Sequence, residues 1–236
     1  MTATTVTTTC VRRLPVHERF MAWQGEGVHM GRSAFFIRLY GCPVQCPWCD
    51  SAGTWHPDHI PRDLERYTPT ELAAEAAAAG AALVVITGGE PTIHNLTALT
   101  AELHARSQVC HLETSGGFTL HGDFDWITLS PKWAKLPLPE NMDRADELKL
   151  IIDDEQAVAR WLDWLGPDIR PPHVWLHPEW SQRANPAILN AINTAVKERG
   201  DPFRAGYQLH KWYAVDEQDP RARKPVAHRT LFHENV

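Results

Sequence analysis

The run Thr68-Pro69-Thr70-Glu71-Leu72-Ala73-Ala74-Glu75-Ala76-Ala77-Ala78-Ala79-Gly80-Ala81-Ala82-Leu83-Val84-Val85-Ile86-Thr87-Gly88-Gly89 contains a complete helix followed by a complete strand. It opens on a capping box: the Thr68 hydroxyl accepts the Glu71 amide while the Glu71 side chain reaches back to the Thr68 amide. Pro69 suits the first helical position, where its missing N–H would have had no partner. An alanine-rich helix follows, and Gly80 stands where the chain must turn left-handed to leave it. Leu83 to Thr87 then reads as a strand buried on both faces, halted by a glycine pair. A helix leading into a doubly buried strand is half of a βαβ unit, so the strands on either side should pair in parallel.

The same alternation extends outward. Upstream, Ala34-Phe35-Phe36-Ile37-Arg38-Leu39 is a short, mostly apolar strand ending at Gly41. Downstream, a helix from about Asn95 to Ser107 leads to Val109–Glu113; Trp126–Leu129, Leu148–Ile152, Val174–His177 and Tyr207–Leu209 are further apolar runs, with helical stretches near Glu155–Leu165 and Pro186–Arg199. About seven strands, mostly with crossovers between them, imply an α/β fold whose sheet is curved or partly closed. Polar groups gather after the runs: cysteines after the first, Gly88-Gly89-Glu90-Pro91 after the second, Glu113-Thr114-Ser115-Gly116 after the third. Ser130-Pro131-Lys132, His177-Pro178-Glu179 and His210-Lys211 follow later ones. One such turn is an ordinary solvated loop; a set of them at equivalent strand ends marks the face where loops of a parallel sheet converge.

The 236 residues, 43% hydrophobic and 22% charged, describe an ordinary globular chain with one core. Lys+Arg of 23 against Asp+Glu of 29 gives a net charge of −6, which argues against nucleic-acid binding through a bulk field and favours a small-molecule partner. No run of 18 apolar residues occurs, and Met1–Cys10 lacks the basic start and apolar stretch of a signal peptide, so no membrane association and a cytoplasmic location are expected. Residues 1–18 read as a tail, 19–211 as the catalytic domain and 212–236 as a C-terminal extension.

Cys42, Cys46 and Cys49 form C-x3-C-x2-C on one loop, whereas Cys10 and Cys110 stand apart and read as free thiols. Three thiolates at short spacing converge on a soft metal centre and leave one coordination position open. Zinc with His56 or His59 as fourth ligand is one reading. The other is a 4Fe–4S cluster with one iron free for an exogenous ligand. A structural zinc gives no reason for the Thr87-Gly88-Gly89-Glu90-Pro91 turn at the next strand end. An amino-acid-like ligand does: it needs close backbone approach and a carboxylate for its ammonium group.

With this cysteine loop and this glycine turn, the sequence resembles the radical S-adenosylmethionine superfamily. The resemblance implies a partial, incomplete TIM-like barrel of about six to seven mostly parallel strands, the radical S-adenosylmethionine core. It also implies a cluster whose open iron chelates S-adenosylmethionine and whose electron cleaves it to a 5′-deoxyadenosyl radical. Trp23-Gln24-Gly25-Glu26-Gly27, Phe36-Ile37-Arg38, Cys49-Asp50-Ser51, Ser130-Pro131-Lys132, Glu147-Leu148-Lys149 and Gln208-Leu209-His210-Lys211 narrow it to the 7-carboxy-7-deazaguanine synthase family. That family converts 6-carboxy-5,6,7,8-tetrahydropterin to 7-carboxy-7-deazaguanine by a Mg2+-dependent radical ring contraction with loss of ammonia, a step of 7-deazapurine biosynthesis whose product goes on to tRNA queuosine, DNA modification or a secondary metabolite.

A pterin offers a planar donor–acceptor edge and a carboxylate, which an amide, a carboxylate and a guanidinium complement: Gln24, Glu26 and Arg38. The structural alternative is that Gln24 and Glu26 shape a loop and Arg38 forms an ion pair. By resemblance, Thr87 and His210 also belong to the substrate side. Gly89 and Glu90 are matched to the methionyl ammonium, Glu113 and Ser115 to the ribose or adenosine region, and Ser130 with Lys132 to the ribose and carboxylate. Ser51 stands where the family commonly has threonine as the Mg2+ ligand; the hydroxyl is kept and only rotamer restraint is lost. Asp50 is a second candidate at that ion. The resemblance further implies a flavodoxin- or ferredoxin-like reductant and a homodimer. Pro43 departs from the common asparagine, and the segment after Lys211 is longer than in short relatives, whose chain end approaches the substrate. The ten tryptophans are assigned to packing. The alternative within the superfamily is an activase that installs a glycyl radical in an anaerobic ribonucleotide reductase or similar protein, which would not need the set Gln24, Glu26, Arg38 and His210.

Overall fold

The computed structural model describes residues 12–226; Cys10 and the outer parts of the expected tail and extension lie outside the described residues. One nine-stranded sheet runs in the order β3-β1-β2-β4-β5-β6-β7-β8-β9 and is not closed. Its strands are β1 (Leu14–Trp23), β2 (Ser33–Leu39), β3 (Arg66–Tyr67), β4 (Leu83–Gly88), β5 (Val109–Thr114), β6 (Trp126–Leu129), β7 (Glu147–Ile152), β8 (Val174–Pro178) and β9 (Phe203–Ala205). From β2 to β9 the seven strands pair in parallel, matching the expected partial barrel, while β1 and β3 add an antiparallel edge. Among the described residues no helix is long and apolar enough to cross a membrane.

Helix α1 (Pro69–Ala78) begins on the expected reciprocal cap, Glu71 N to Thr68 Oγ1 at 3.2 Å and Thr68 N to Glu71 Oε2 at 2.7 Å, and Gly80 has φ +76°. With α2 (Thr97–His104), α4 (Ala157–Leu165) and α5 (Pro186–Arg199) it covers one face of the sheet. That face is apolar without interruption: Phe35 and Ile37, Val84 and Ile86, Cys110 and Leu112, Ile127 and Leu129, Leu148 and Leu150, Val174 and Leu176 meet Leu72, Leu99, Leu103, Trp161, Ile188 and Ile192. Cys110 is thus a buried free thiol, pushed up to about 12 by burial.

Side chains alternate along a strand, so the residues between these point to the opposite, inner face. There Phe20, Ala22, Ala34, Phe36, Leu83 and Val85 form a small apolar floor with Val215. Beyond this floor the same face carries Arg38, Thr87, His111, Glu113, Thr128, Glu147, Lys149, Trp175 and His177.

Two elements differ from the sequence reading. β1 begins at Leu14, inside the stretch expected to be a tail; its even-numbered positions are all buried, but one of them is Glu18, which masks the period of two. Tyr207–Leu209 is not a strand. The last strand ends at Ala205, Gly206 turns the chain over His177, where a Cβ would lie 2.2 Å from the ring, and Leu209–Tyr213 forms the short helix α6. The remaining helix, α3, spans Pro139–Met142.

After α6 the chain returns along β1 and β2. Val215 enters the apolar floor, Asp219 accepts the Met21 amide at 2.9 Å, the Arg223 amide donates to Glu18 at 2.5 Å, and Val226 bridges to Ser51.

Candidate active site

The cysteine loop leaves β2 through Gly41, whose φ of +100° turns the chain under the tip of β4. Gly41 O accepts the Glu90 amide at 2.8 Å, and a Cβ on Gly89 would lie 2.3 Å from that oxygen and 2.8 Å from Cys42 Cβ. The glycine turn is therefore required where β4 runs against the cysteine loop, a packing reason within the protein rather than the ligand approach from which the sequence reading argued. Cys42, Cys46 and Cys49 are half-buried free thiols. Burial pushes all three up, Cys49 to about 11, despite a hydrogen bond from Trp55 Nε1 at 3.4 Å. Sulfurs in such surroundings ionise once a metal centre supplies positive charge, so the loop fits a cluster. Lys132, lowered by its own burial, faces Cys46 and Cys49 and donates to Ser130 O (2.5 Å) and Oγ (2.7 Å). The structure thus places Ser130 and Lys132 at the cluster loop.

Glu90, 2% exposed, is saturated by protein donors. Its Oε1 accepts from Thr92 N, Thr92 Oγ1 and Thr114 Oγ1, and its Oε2 from Ser115 N and Ser115 Oγ. Glu90 and Ser115 therefore fasten the β4 and β5 turns together, and both Glu90 oxygens are engaged by protein donors.

A second group assembles farther along the inner face. Gln24 Nε2 donates to Glu113 Oε1 at 2.8 Å, the Glu26 amide donates to Gln24 Oε1 at 3.2 Å, and Thr87 Oγ1 reaches Glu113 Oε2 at 3.4 Å. Glu113, matched to the adenosine region, thus keeps company with residues matched to the substrate. Glu26 pairs with Lys149 Nζ at 2.5 Å and accepts from Gln208 Nε2 at 2.9 Å. Burial alone would raise the Glu26 carboxyl; Lys149 outweighs it and holds the carboxyl far below the usual carboxylate range, while Glu26 and Glu113 raise Lys149 against the cost of burial.

Arg38 pairs through Nε with Glu18 Oε1 at 2.5 Å, and its Nη1 approaches Ser51 Oγ at 3.4 Å. Ser51 Oγ donates to Asp50 Oδ1 at 3.2 Å, and Lys211 Nζ meets Asp50 Oδ2 at 2.5 Å. His210 packs on Gly25, where a Cβ would lie 2.2 Å from its Nδ1, and its Nε2 is 3.9 Å from Asp216. Gln24, Glu26, Thr87, Arg38, Asp50 and Ser51 are thus linked in one network, Gln208 joining its two halves by reaching Asp50 at 3.5 Å and Lys211 at 2.9 Å, with His210 packed beside it. Sequence reasoning missed five members: Glu18, in a stretch read as tail; Lys149, Gln208 and Lys211, seen in their motifs but not assigned, whose partners lie far away in the chain; and Asp216, in the segment read as an extension. The parity of Lys149 with Glu147 on β7 is the signal that places it on the inner face.

The family profile described as a 4Fe-4S single cluster domain matches residues 23–130. The 7-carboxy-7-deazaguanine synthase of Synechocystis is 43% identical over 203 residues, covering 85% of this chain and 93% of that one. The protein of the same name from Escherichia coli is 33% identical over 226 residues, covering 85% of this chain and 98% of that one. The crystal structure of QueE from Escherichia coli superposes with a TM-score of 0.71 at 31% identity, covering 84% of this chain and 95% of that one. Relatedness that spans nearly the whole of each relative, from the cluster loop to the late histidine, leaves one conclusion: the chain belongs to the 7-carboxy-7-deazaguanine synthase family.

Proposed function

We propose that the protein converts 6-carboxy-5,6,7,8-tetrahydropterin to 7-carboxy-7-deazaguanine, with a 4Fe–4S cluster on Cys42, Cys46 and Cys49, S-adenosylmethionine and Mg2+. When bound, the cluster and S-adenosylmethionine supply the hydrogen-abstracting radical; the chain binds, orients and excludes water. The observation that carries the reading is the paired state of the pocket: Gln24 with Glu113, Glu26 with Lys149 and Arg38 with Glu18 stand on one face, beside the cluster loop. A pterin edge can exchange donors with Gln24, Glu26 and Glu113 without leaving a buried charge alone. Its carboxylate complements Arg38 and Lys211, and His210 with Asp216 closes the far side. Ser51 and Asp50 offer hard oxygens within 3.2 Å of each other, the donor type Mg2+ prefers, and the ion would template the substrate carboxylate. Gly89 is matched by resemblance to the methionyl end, its own amide being donated to Leu39 O at 3.1 Å, and Ser130 and Lys132 to the ribose and carboxylate.

On the family resemblance, the electron donor is a flavodoxin- or ferredoxin-like protein, the assembly a homodimer and the compartment the cytoplasm. The test is anaerobic reconstitution with iron and sulfide, then incubation with the carboxytetrahydropterin, S-adenosylmethionine, reductant and Mg2+. A deazapurine product dependent on all of them is expected; cofactor cleavage with no deazapurine would overturn the assignment.

A further inference from the structure

Gln24–Arg32 joins β1 to β2 and is closed on itself by Gly31 N to Gln24 O and Gln24 N to Arg32 O, both 2.8 Å. Internal bonds fix its shape but not its seat on the sheet. That seat centres on Glu147, 1% exposed at the start of β7. Glu147 Oε2 accepts the Val28 amide from the loop (2.9 Å) and the Trp175 indole N–H (2.9 Å), and Oε1 accepts the Thr128 hydroxyl (2.7 Å). Since that hydroxyl proton points at Glu147, the Thr128 oxygen is left to accept from His111 Nε2 at 2.8 Å, which fixes the tautomer of that ring. Gly27 has φ +69°, and a Cβ there would lie 2.3 Å from Glu147 Oε1, so the loop passes directly over the carboxylate. Lys149, two residues along the same face of β7, pairs with Glu26 at 2.5 Å.

β7 therefore grips the loop twice, once through the Val28 backbone and once through the Glu26 side chain. Only the second grip involves a group matched to the substrate; the first is available to set its direction. We propose that Glu147 is a positioning residue for the substrate: by holding Val28 it fixes the stretch Gln24–Glu26 against β5–β8, so that the Gln24 amide and Glu26 carboxylate meet the bicyclic edge already oriented. This rests on the proposed function for the identity of the ligand, but not for the anchoring itself.

The test combines kinetics with hydrogen exchange. Glu147→Met keeps the length of the side chain and removes both acceptor oxygens, so the Val28 amide, the Trp175 indole and the Thr128 hydroxyl all lose their partner. Expected are a rise of about tenfold or more in the pterin KM and a similar acceleration of amide exchange in the 24–31 peptide. The KM for S-adenosylmethionine, the uncoupled cleavage rate and exchange in the 148–152 peptide should stay within about twofold. Gly27→Ala approaches the same contact from the loop side and should give the same pattern, so the inference can be read even where Glu147→Met fails to fold. An unchanged pterin KM in a variant with faster loop exchange, or exchange that accelerates equally in both peptides, would overturn the positioning role. The exchange measurement needs no substrate: if the wild type makes no deazapurine but the loop-specific acceleration is seen, the functional reading has failed and the anchor has not.

Discussion

The Glu26–Lys149 pair offers the most decisive perturbation. Both side chains are nearly inaccessible, at 8% and 14% exposed, with 2.5 Å between the charged atoms. Lys149→Met keeps the length of the side chain and removes its charge, leaving Glu26 buried without its main counter-charge. Breaking a buried pair from one side costs about 3–5 kcal/mol, most of it the penalty of the orphaned charge. For a chain of 236 residues that is a fall of roughly 6–20 °C in Tm. Glu26→Gln should cost less, because an amide can still accept from Gln208 while Lys149 turns to Glu113, its next counter-charge. The double variant removes both charges, so it should recover part of the loss, with a coupling energy above about 2 kcal/mol in a double-mutant cycle. Urea unfolding of the four proteins under anaerobic conditions measures this. The pH dependence has a fixed sign: the Glu26 carboxyl is held below its unfolded value, so its share of stability is complete above the ordinary glutamate range and disappears as acid protonates it. A coupling below about 0.5 kcal/mol would refute the claim that these groups neutralise each other.

Three further outcomes are expected. Cys46→Ala should abolish cluster assembly, read as loss of iron, sulfide and the visible absorbance; an intact 4Fe–4S signal would remove Cys46 from the ligand set. Ser51→Ala should raise the Mg2+ concentration needed for half-maximal activity several-fold, roughly the loss of one hard oxygen donor, and an unchanged Mg2+ titration would exclude Ser51 from the ion. His111 and His177, both fully buried, are lowered to about 4 by burial, only partly offset by Glu113 at the first and Glu26 at the second. Each stays neutral in the fold while the unfolded chain binds a proton below about pH 6.5, so stability should be intact above that pH and fall by up to about 3 kcal/mol per ring as pH drops towards 4. Equal urea midpoints at pH 7 and pH 5 would contradict it.

Where structure follows from neighbours in the chain, it was legible. The α1 cap, its terminal glycine and the doubly buried strands β4 to β8 depend on residues a few positions apart, and the observed boundaries fall close to those expected. β1 was hidden because its inward register includes Glu18, a charge made tolerable by Arg38 on the adjacent strand and by the Arg223 amide. Tyr207–Leu209 misled for the converse reason: three residues with an apolar centre fit a strand as well as a helical turn, and the choice was made by Gly206 lying flat on the His177 ring.

The site divides the same way. The cysteines, the glycine turn and Gln24, Glu26 and Arg38 were visible because each belongs to a short motif whose chemistry is local. Several of their partners were not, since Lys149 and Gln208 reach Glu26, and Lys211 reaches Asp50, across more than a hundred residues. Parity connects the two sets. Every β5, β7 and β8 residue in the polar network lies on the odd-numbered face, while the even-numbered neighbours Cys110, Leu112, Leu148, Leu150, Val174 and Leu176 pack under the helices. A strand that looks uniformly buried in sequence is thus split into an apolar side that holds the barrel together and a charged side that only another charge can cover. The odd-numbered polar residues of an otherwise apolar run are therefore the ones to assign to the site, and Lys149 meets that criterion before any contact is known.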